Sequence, residues 1–180
     1  MVTNLVTEKN GKRPAERLML EAFKTFCEQE TCEGIIKIHG IFGHSTREMD
    51  FEADLLVDGI KYLFRCEAKV ATHLSDGTQT KDGPNAVHKL FGLILSGRAV
   101  AGHKKKADSP DSVVYGLMIP SRDFGYFKRR YLQILDDWNK FGAAFDARFV
   151  LVFDESQKEL RVFGWNDAWV DSQVPMMVLV

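Results

Sequence analysis

Asp58-Gly59 stands between two runs of β-forming residues and constrains this chain more than any other pair. An Asp-Gly dipeptide in that setting signals a tight hairpin, because the favoured turn needs φ above zero at both central positions. Asp50 to Val57 is read as the strand before the turn, and Ile60 to Val70 as the strand after it. Alternate side chains share a face of a strand. Asp50, Glu52 and Asp54 therefore point one way on the first strand. On the second, Arg65, Glu67 and Lys69 share a face, while Cys66, Ala68 and Val70 take the other. The second set can enter a core; the charged sets must meet solvent, a partner or a ligand.

The hairpin makes a purely parallel sheet untenable, and the flanking segments supply helices. Pro14 suits a first helical turn. Ala15, Leu18, Met19, Ala22, Phe23 and Phe26 then recur with helical spacing to about residue 29. Glu16 lies beside that stripe and Glu21 more nearly opposite it. Residues 34–40 read as a strand. A second helix is expected from Pro84, with Ala86, Val87, Leu90, Phe91, Leu93 and Ile94 as its apolar positions. Ser112 to Ile119 reads as a largely buried strand ending at Pro120. Ser121 is the expected cap of a third helix running to Gly142. Phe149 to Phe153 is a strong strand, Leu160 to Phe163 its antiparallel neighbour, and Met176 to Val180 a short terminal strand. Helices between strands predict one α/β domain over residues 1–180, with a mixed β-sheet flanked by helices.

Composition narrows the function. A chain of 180 residues with 45% hydrophobic content can bury one ordinary core. No window reaches the length of a membrane span, and the amino terminus has no signal-peptide h-region, so no membrane association and a cytoplasmic location are expected. Cys27, Cys32 and Cys66 have neither zinc spacing nor the density of a disulfide scaffold. The formal net charge of −1 denies the chain strong non-specific attraction to nucleic acid. Any such role would need local charge, for which Lys104, Lys105 and Lys106, and Lys128, Arg129 and Arg130, are the candidates.

Carboxylates on adjacent strands with a lysine beside them suit a hard divalent cation. Such an ion polarises a phosphate and lowers the pKa of water. The lysine can orient that water or neutralise the transition state; as a general base it would need a depressed pKa. With Asp54 upstream and Glu67-Ala68-Lys69 on the following strand, the chain resembles the PD-(D/E)xK, or restriction-endonuclease-like, nuclease superfamily over roughly residues 12–120. Ala53 replaces the proline of the family name. The resemblance implies a restriction-endonuclease-like fold and a metal-dependent DNA endonuclease that hydrolyses phosphodiester bonds with Mg²⁺, or Mn²⁺ in its place. It implies Asp54 and Glu67 as metal ligands, Lys69 as the catalytic lysine, and Glu16 of the first helix as a third acidic contributor. Duplex or branched DNA is the implied substrate, bound beside the exposed edge of the sheet. A homodimer would bring two sites to two strands.

Hairpin arithmetic pulls against one of these assignments. A strict two-residue turn pairs Val57 with Ile60, and the same register sets Asp50 opposite Glu67. Asp54 then lies four residues off, about 13 Å by strand rise. A bulge, a longer turn or strong twist would bring it back; otherwise Asp50 or Glu52 takes its place. Asp76, Gln79, Lys81, His88 and Lys89 are further polar candidates for substrate contact, against an ordinary surface role, and His39 and His44 flank a turn. Trp138 is expected in the core, while Trp165 and Trp169 suit the tail or an oligomer interface. The alternative function is a non-catalytic nucleic-acid-binding or assembly module with the same fold. A nuclease active only inside a larger complex is a third reading.

Overall fold

The computed structural model describes residues 14–41, 49–71, 92 and 113–180. Its centre is a seven-stranded mixed sheet in sequence order. The strands are β1 (Ile36–Ile41), β2 (Phe51–Val57), β3 (Ile60–Ala68), β4 (Val113–Pro120), β5 (Ala147–Asp154), β6 (Glu159–Gly164) and β7 (Met177–Leu179). β3, β4 and β5 run parallel, and every other neighbouring pair is antiparallel. Among the described residues, the helices that flank it include α1 (Pro14–Cys27), α2 (Phe124–Leu132) and α3 (Leu135–Phe145). The chain is therefore mixed α/β. The helix expected from Pro84 and the Lys104–Lys106 cluster lie outside the described residues.

The central strands alternate between two cores, as a period of two requires. Val114, Met118, Phe149, Leu151 and Phe153 pack with Met19, Leu20, Phe23 and Phe26 of α1. Tyr115, Leu117, Ile119, Val150 and Val152 pack with Phe127, Tyr131 and Trp138 of α2 and α3. Each such large side chain contributes about 1.5–3 kcal/mol when fully buried. Trp165 and Trp169 belong to this second core, not to a surface. Trp165 stacks on Trp138 with centroids 3.9 Å apart, and each indole N–H donates to the other's carbonyl oxygen.

Three local expectations change. The buried stripe of α1 is rotated: Leu20 is inside, while Leu18 is 56% exposed and Ala15 is exposed. Phe23 and Phe26 set this rotation by packing on Phe51 and Phe153. Ser121 does not cap a helix; its hydroxyl donates to Asp154 at 2.7 Å, and α2 begins at Phe124. The expected third helix is two helices, broken at Ile134 with φ −127° and ψ 30°. Gly142 lies inside α3, which ends at Asp146 with φ 54°.

The two margins of the sheet differ. β1 carries exposed Lys37 and half-exposed His39 and shifts register between Ile38 and Gly40. β7 lies in the uncharged run Val174–Val180, where Val174, Met176, Val178 and Val180 are all exposed. Among the described residues, no helix is long and apolar enough to cross a membrane.

Candidate active site

The hairpin follows the simplest register. Asp58 and Gly59 have φ of 49° and 77°, as the tight turn requires. Val57 pairs with Ile60, and the register runs without a shift to Phe51 opposite Cys66. The Asp50 amide then donates to the carbonyl of Cys66, the residue that Phe51 already faces, at 2.9 Å, so the ladder ends in a bend at Asp50 whose carboxylate accepts the Ala68 N–H. Asp50, on the chain entering β2, is thereby brought to the end of β3.

Glu67, Glu16 and Asp50 all act electrostatically on Lys69 there, and all four are buried: Asp50 at 3% exposure, Glu67 at 2%, Lys69 at 5% and Glu16 at 8%. Glu16 is three residues before Met19 and four before Leu20, so it continues the inward stripe of α1. The rotation of that helix puts Glu16 within the stripe instead of beside it. The Lys69 ammonium is paired directly with Glu67 Oε1. Asp50 Oδ2 accepts the Ala68 N–H at 2.7 Å, between the two.

Asp54 is not part of this cluster. It pairs with Leu63, far along the hairpin from Glu67. Its carboxylate accepts from His39 Nε2 at 2.9 Å and Lys61 Nζ at 2.7 Å. Burial acts to raise its pKa, but the hydrogen bonds and charges of His39 and Lys61 together outweigh it and hold the carboxyl below its ordinary value. The expectation that Asp54 would join Glu67 and Lys69 therefore fails on geometry, because no bulge shortens β2 against β3. Glu52 is also engaged elsewhere, accepting from Arg65 Nε at 2.8 Å across the ladder. Asp50, the residue favoured by hairpin arithmetic, stands in the cluster instead.

The electrostatics of Lys69 follow from its neighbours. Burial pushes its pKa down. The charges of Glu67, Glu16 and Asp50, together with the Glu67 hydrogen bond, outweigh that and raise it above the ordinary lysine value. Lys69 is thus an ammonium at neutral pH and cannot act as a general base in this state. Among the described residues, this buried cluster holds three carboxyl groups and one ammonium.

The donor set suits Mg²⁺ in its chemistry: the three acids offer only hard oxygen. Among the described residues, no three His, Cys, Asp or Glu side chains stand at metal-ligand spacing. Mg²⁺ commonly takes only one or two protein carboxylates, with water and phosphate oxygens completing its shell. Asp50 and Glu67 are two acids of that kind, carried to the same end of β3.

Of the other candidates, His39 serves Asp54. Lys128 is tied to Gln173 and Asp171, and Arg129 is exposed. His44, Asp76, Gln79, Lys81, His88 and Lys89 lie outside the described residues. One buried acid went unremarked in the sequence. Asp123 is 1% exposed and its Oδ2 accepts the Ala71 N–H at 2.8 Å. Its place between Pro120 and an apolar helical stripe reads as ordinary helix-start chemistry, so no local signal marks it. No family model matches this chain, and no curated protein matches it in sequence.

Proposed function

We propose that this chain is a Mg²⁺-dependent DNA endonuclease of the PD-(D/E)xK kind, with a restriction-endonuclease-like fold. The observation that carries the reading is the convergence of Glu16, Asp50, Glu67 and Lys69, all buried, where the start of β2 meets the end of β3. Asp50 and Glu67 would hold the metal, with Glu16 beside them, and Asp50 takes the part that the motif spacing gives to Asp54. Bound Mg²⁺ would supply Lewis-acid polarisation of the scissile phosphate and a lowered pKa for water. Lys69 would present a positive charge where negative charge grows on the phosphoryl oxygens. Glu67 holds the ammonium in place, and burial of the cluster strengthens that charge by excluding water. The choice of DNA over RNA rests on the family resemblance alone.

The test is cleavage of linear, supercoiled, single-stranded and branched DNA with Mg²⁺ or Mn²⁺. Asp50→Ala, Glu67→Ala and Lys69→Ala should each lower kcat by at least about 10²-fold, whereas Asp54→Ala should retain cleavage. Native rates in folded Glu67→Ala and Lys69→Ala would sink the mechanism. A loss with Asp54→Ala equal to that with Asp50→Ala would return the metal role to Asp54.

A second reading is a non-catalytic nucleic-acid-binding or assembly module. The direct Lys69–Glu67 contact favours it, because it occupies an oxygen that a metal would need. That reading predicts DNA binding insensitive to Mg²⁺ and unaffected by Lys69→Ala.

A further inference from the structure

The segment that carries Glu67 and Lys69 is held by three backbone donors. The Ala68 N–H donates to Asp50 Oδ2 at 2.7 Å, the Lys69 N–H to the Met118 carbonyl at 2.8 Å, and the Ala71 N–H to Asp123 Oδ2 at 2.8 Å. The middle bond is ordinary ladder with β4. The outer two use carboxylates where a sheet would offer carbonyls, and β3 itself ends at Ala68. Asp123 comes from 52 positions along the chain, in the short helical turn that links β4 to α2. Its side chain makes no capping bond to α2, although it sits at that helix's first boundary. A carboxylate at 1% exposure needs hydrogen bonds to offset its burial, and the Ala71 N–H supplies one.

We infer that Asp123 is a positioning residue for Lys69. By accepting the Ala71 N–H it prolongs the line of β3 past the last ladder pair, and so sets the direction in which the Lys69 side chain leaves the backbone toward Glu67, Glu16 and Asp50. Its link to Lys69 runs along the main chain, from the Ala71 N–H two residues on. Asp50 and Asp123 together grip the Glu-x-Lys segment from both sides, so that a charged pair at the end of a strand is fixed as firmly as one in its middle. The catalytic consequence rests on the nuclease reading; the geometric consequence does not.

Both can be read on the full chain labelled with ¹⁵N at lysine. The buried Lys69 ammonium should give a slowly exchanging Nζ resonance, assigned by its loss in Lys69→Arg. Asp123→Ala should speed its proton exchange by at least about tenfold through local opening. It should also lower kcat for Mg²⁺-dependent cleavage on the order of 10²-fold, the usual effect of displacing a reacting group by about 1 Å, with KM within about twofold. Asp123→Asn, whose amide oxygen still accepts from Ala71, should keep both near native. Leu160→Ala, buried in β6, should leave both unchanged at a temperature where every variant is folded; it separates positioning from general loss of stability. A native Lys69 resonance in folded Asp123→Ala overturns the proposal. Should that variant not fold, Asp123→Glu replaces it: it keeps the charge but moves the oxygens by one methylene. The inference requires it to disturb the resonance where Asp123→Asn does not, and the reverse order overturns it. If the native chain cleaves no DNA, the nuclease reading falls and the ammonium resonance alone decides the role of Asp123.

Discussion

Two lysine–carboxylate pairs on one hairpin differ chiefly in burial, and that difference can be measured. Lys69 and Glu67 have side chains 6% and 2% exposed, against 61% and 20% for Lys61 and Asp54. Removing one partner of a buried pair leaves an uncompensated charge and costs about 3–5 kcal/mol; an exposed pair is worth at most about 1 kcal/mol. Lys69→Met should therefore lower Tm by about 6–20 °C, taking about 2–4 °C per kcal/mol for a chain of this size. Lys61→Met should barely move it. The melts are run in EDTA and again with Mg²⁺. Metal at 100 times its Kd adds about 2.7 kcal/mol, and more of the loss should return in Lys69→Met, where Mg²⁺ replaces the missing cation. The pH dependence has a definite sign. The folded pKa of Lys69 is raised, so the pair's stability is fully present below the ordinary lysine value of 10.5. It is lost as pH rises through the higher folded value. The gap between native and Lys69→Met should be flat through neutral pH and shrink only above 10.5. A cost for Lys69→Met no larger than for Lys61→Met would refute the reasoning, because it would mean that Lys69 is solvated.

Asp154 ties the β5–β6 turn to the chain entering α2. Its Oδ1 accepts the Ser156 hydroxyl at 2.7 Å and the Ser156 and Gln157 amides at 3.0 Å, and its Oδ2 accepts from Ser121. The Ser156, Ser121 and Gln157 hydrogen bonds hold its pKa down to about 2, so its contribution is present above 3.8 and lost as pH falls through about 2. Asp154→Ala should cost about 1 kcal/mol at neutral pH after allowance for solvent screening, and acid titration of Tm should show the gap closing. A Cβ at Gly142 would collide with the Trp165 ring. Gly142→Ala should then lose up to about 2 kcal/mol, overpacking exceeding the helical gain. The urea midpoint should fall with its slope unchanged; a rise would mean that the ring can move aside.

The hairpin was legible because a period of two and an Asp-Gly turn fix register locally, and that register carries the chain at Asp50 to the end of β3. The pull toward Asp54 came from motif spacing, which carries no register. The rotation of α1 was hidden because it depends on Phe51 and Phe153, which come from other strands. The break at Ile134 has neither proline nor glycine to announce it. It accompanies the contact of Tyr131 with Trp138, centroids 4.4 Å apart, and bonds from the Ile134 amide to Tyr131 and from the Trp138 amide to Ile134. Trp165 and Trp169 were unplaceable for the same reason: their packing partners lie in helices well before them in the chain. Asp123 was illegible because its partner, Ala71, is neither periodic nor charged.

The unlike margins of the sheet also govern how this chain would fail. A foreign strand approaching β1 meets lysine, histidine and a kinked ladder, the usual defences of an edge. At β7 it meets a run of uncharged side chains, four of them apolar and exposed. Aggregation of a partly melted population would therefore seed from the carboxyl-terminal margin. Because the attraction there is apolar, added salt would not dissolve such assemblies; a single lysine at Val178 would be the more effective remedy.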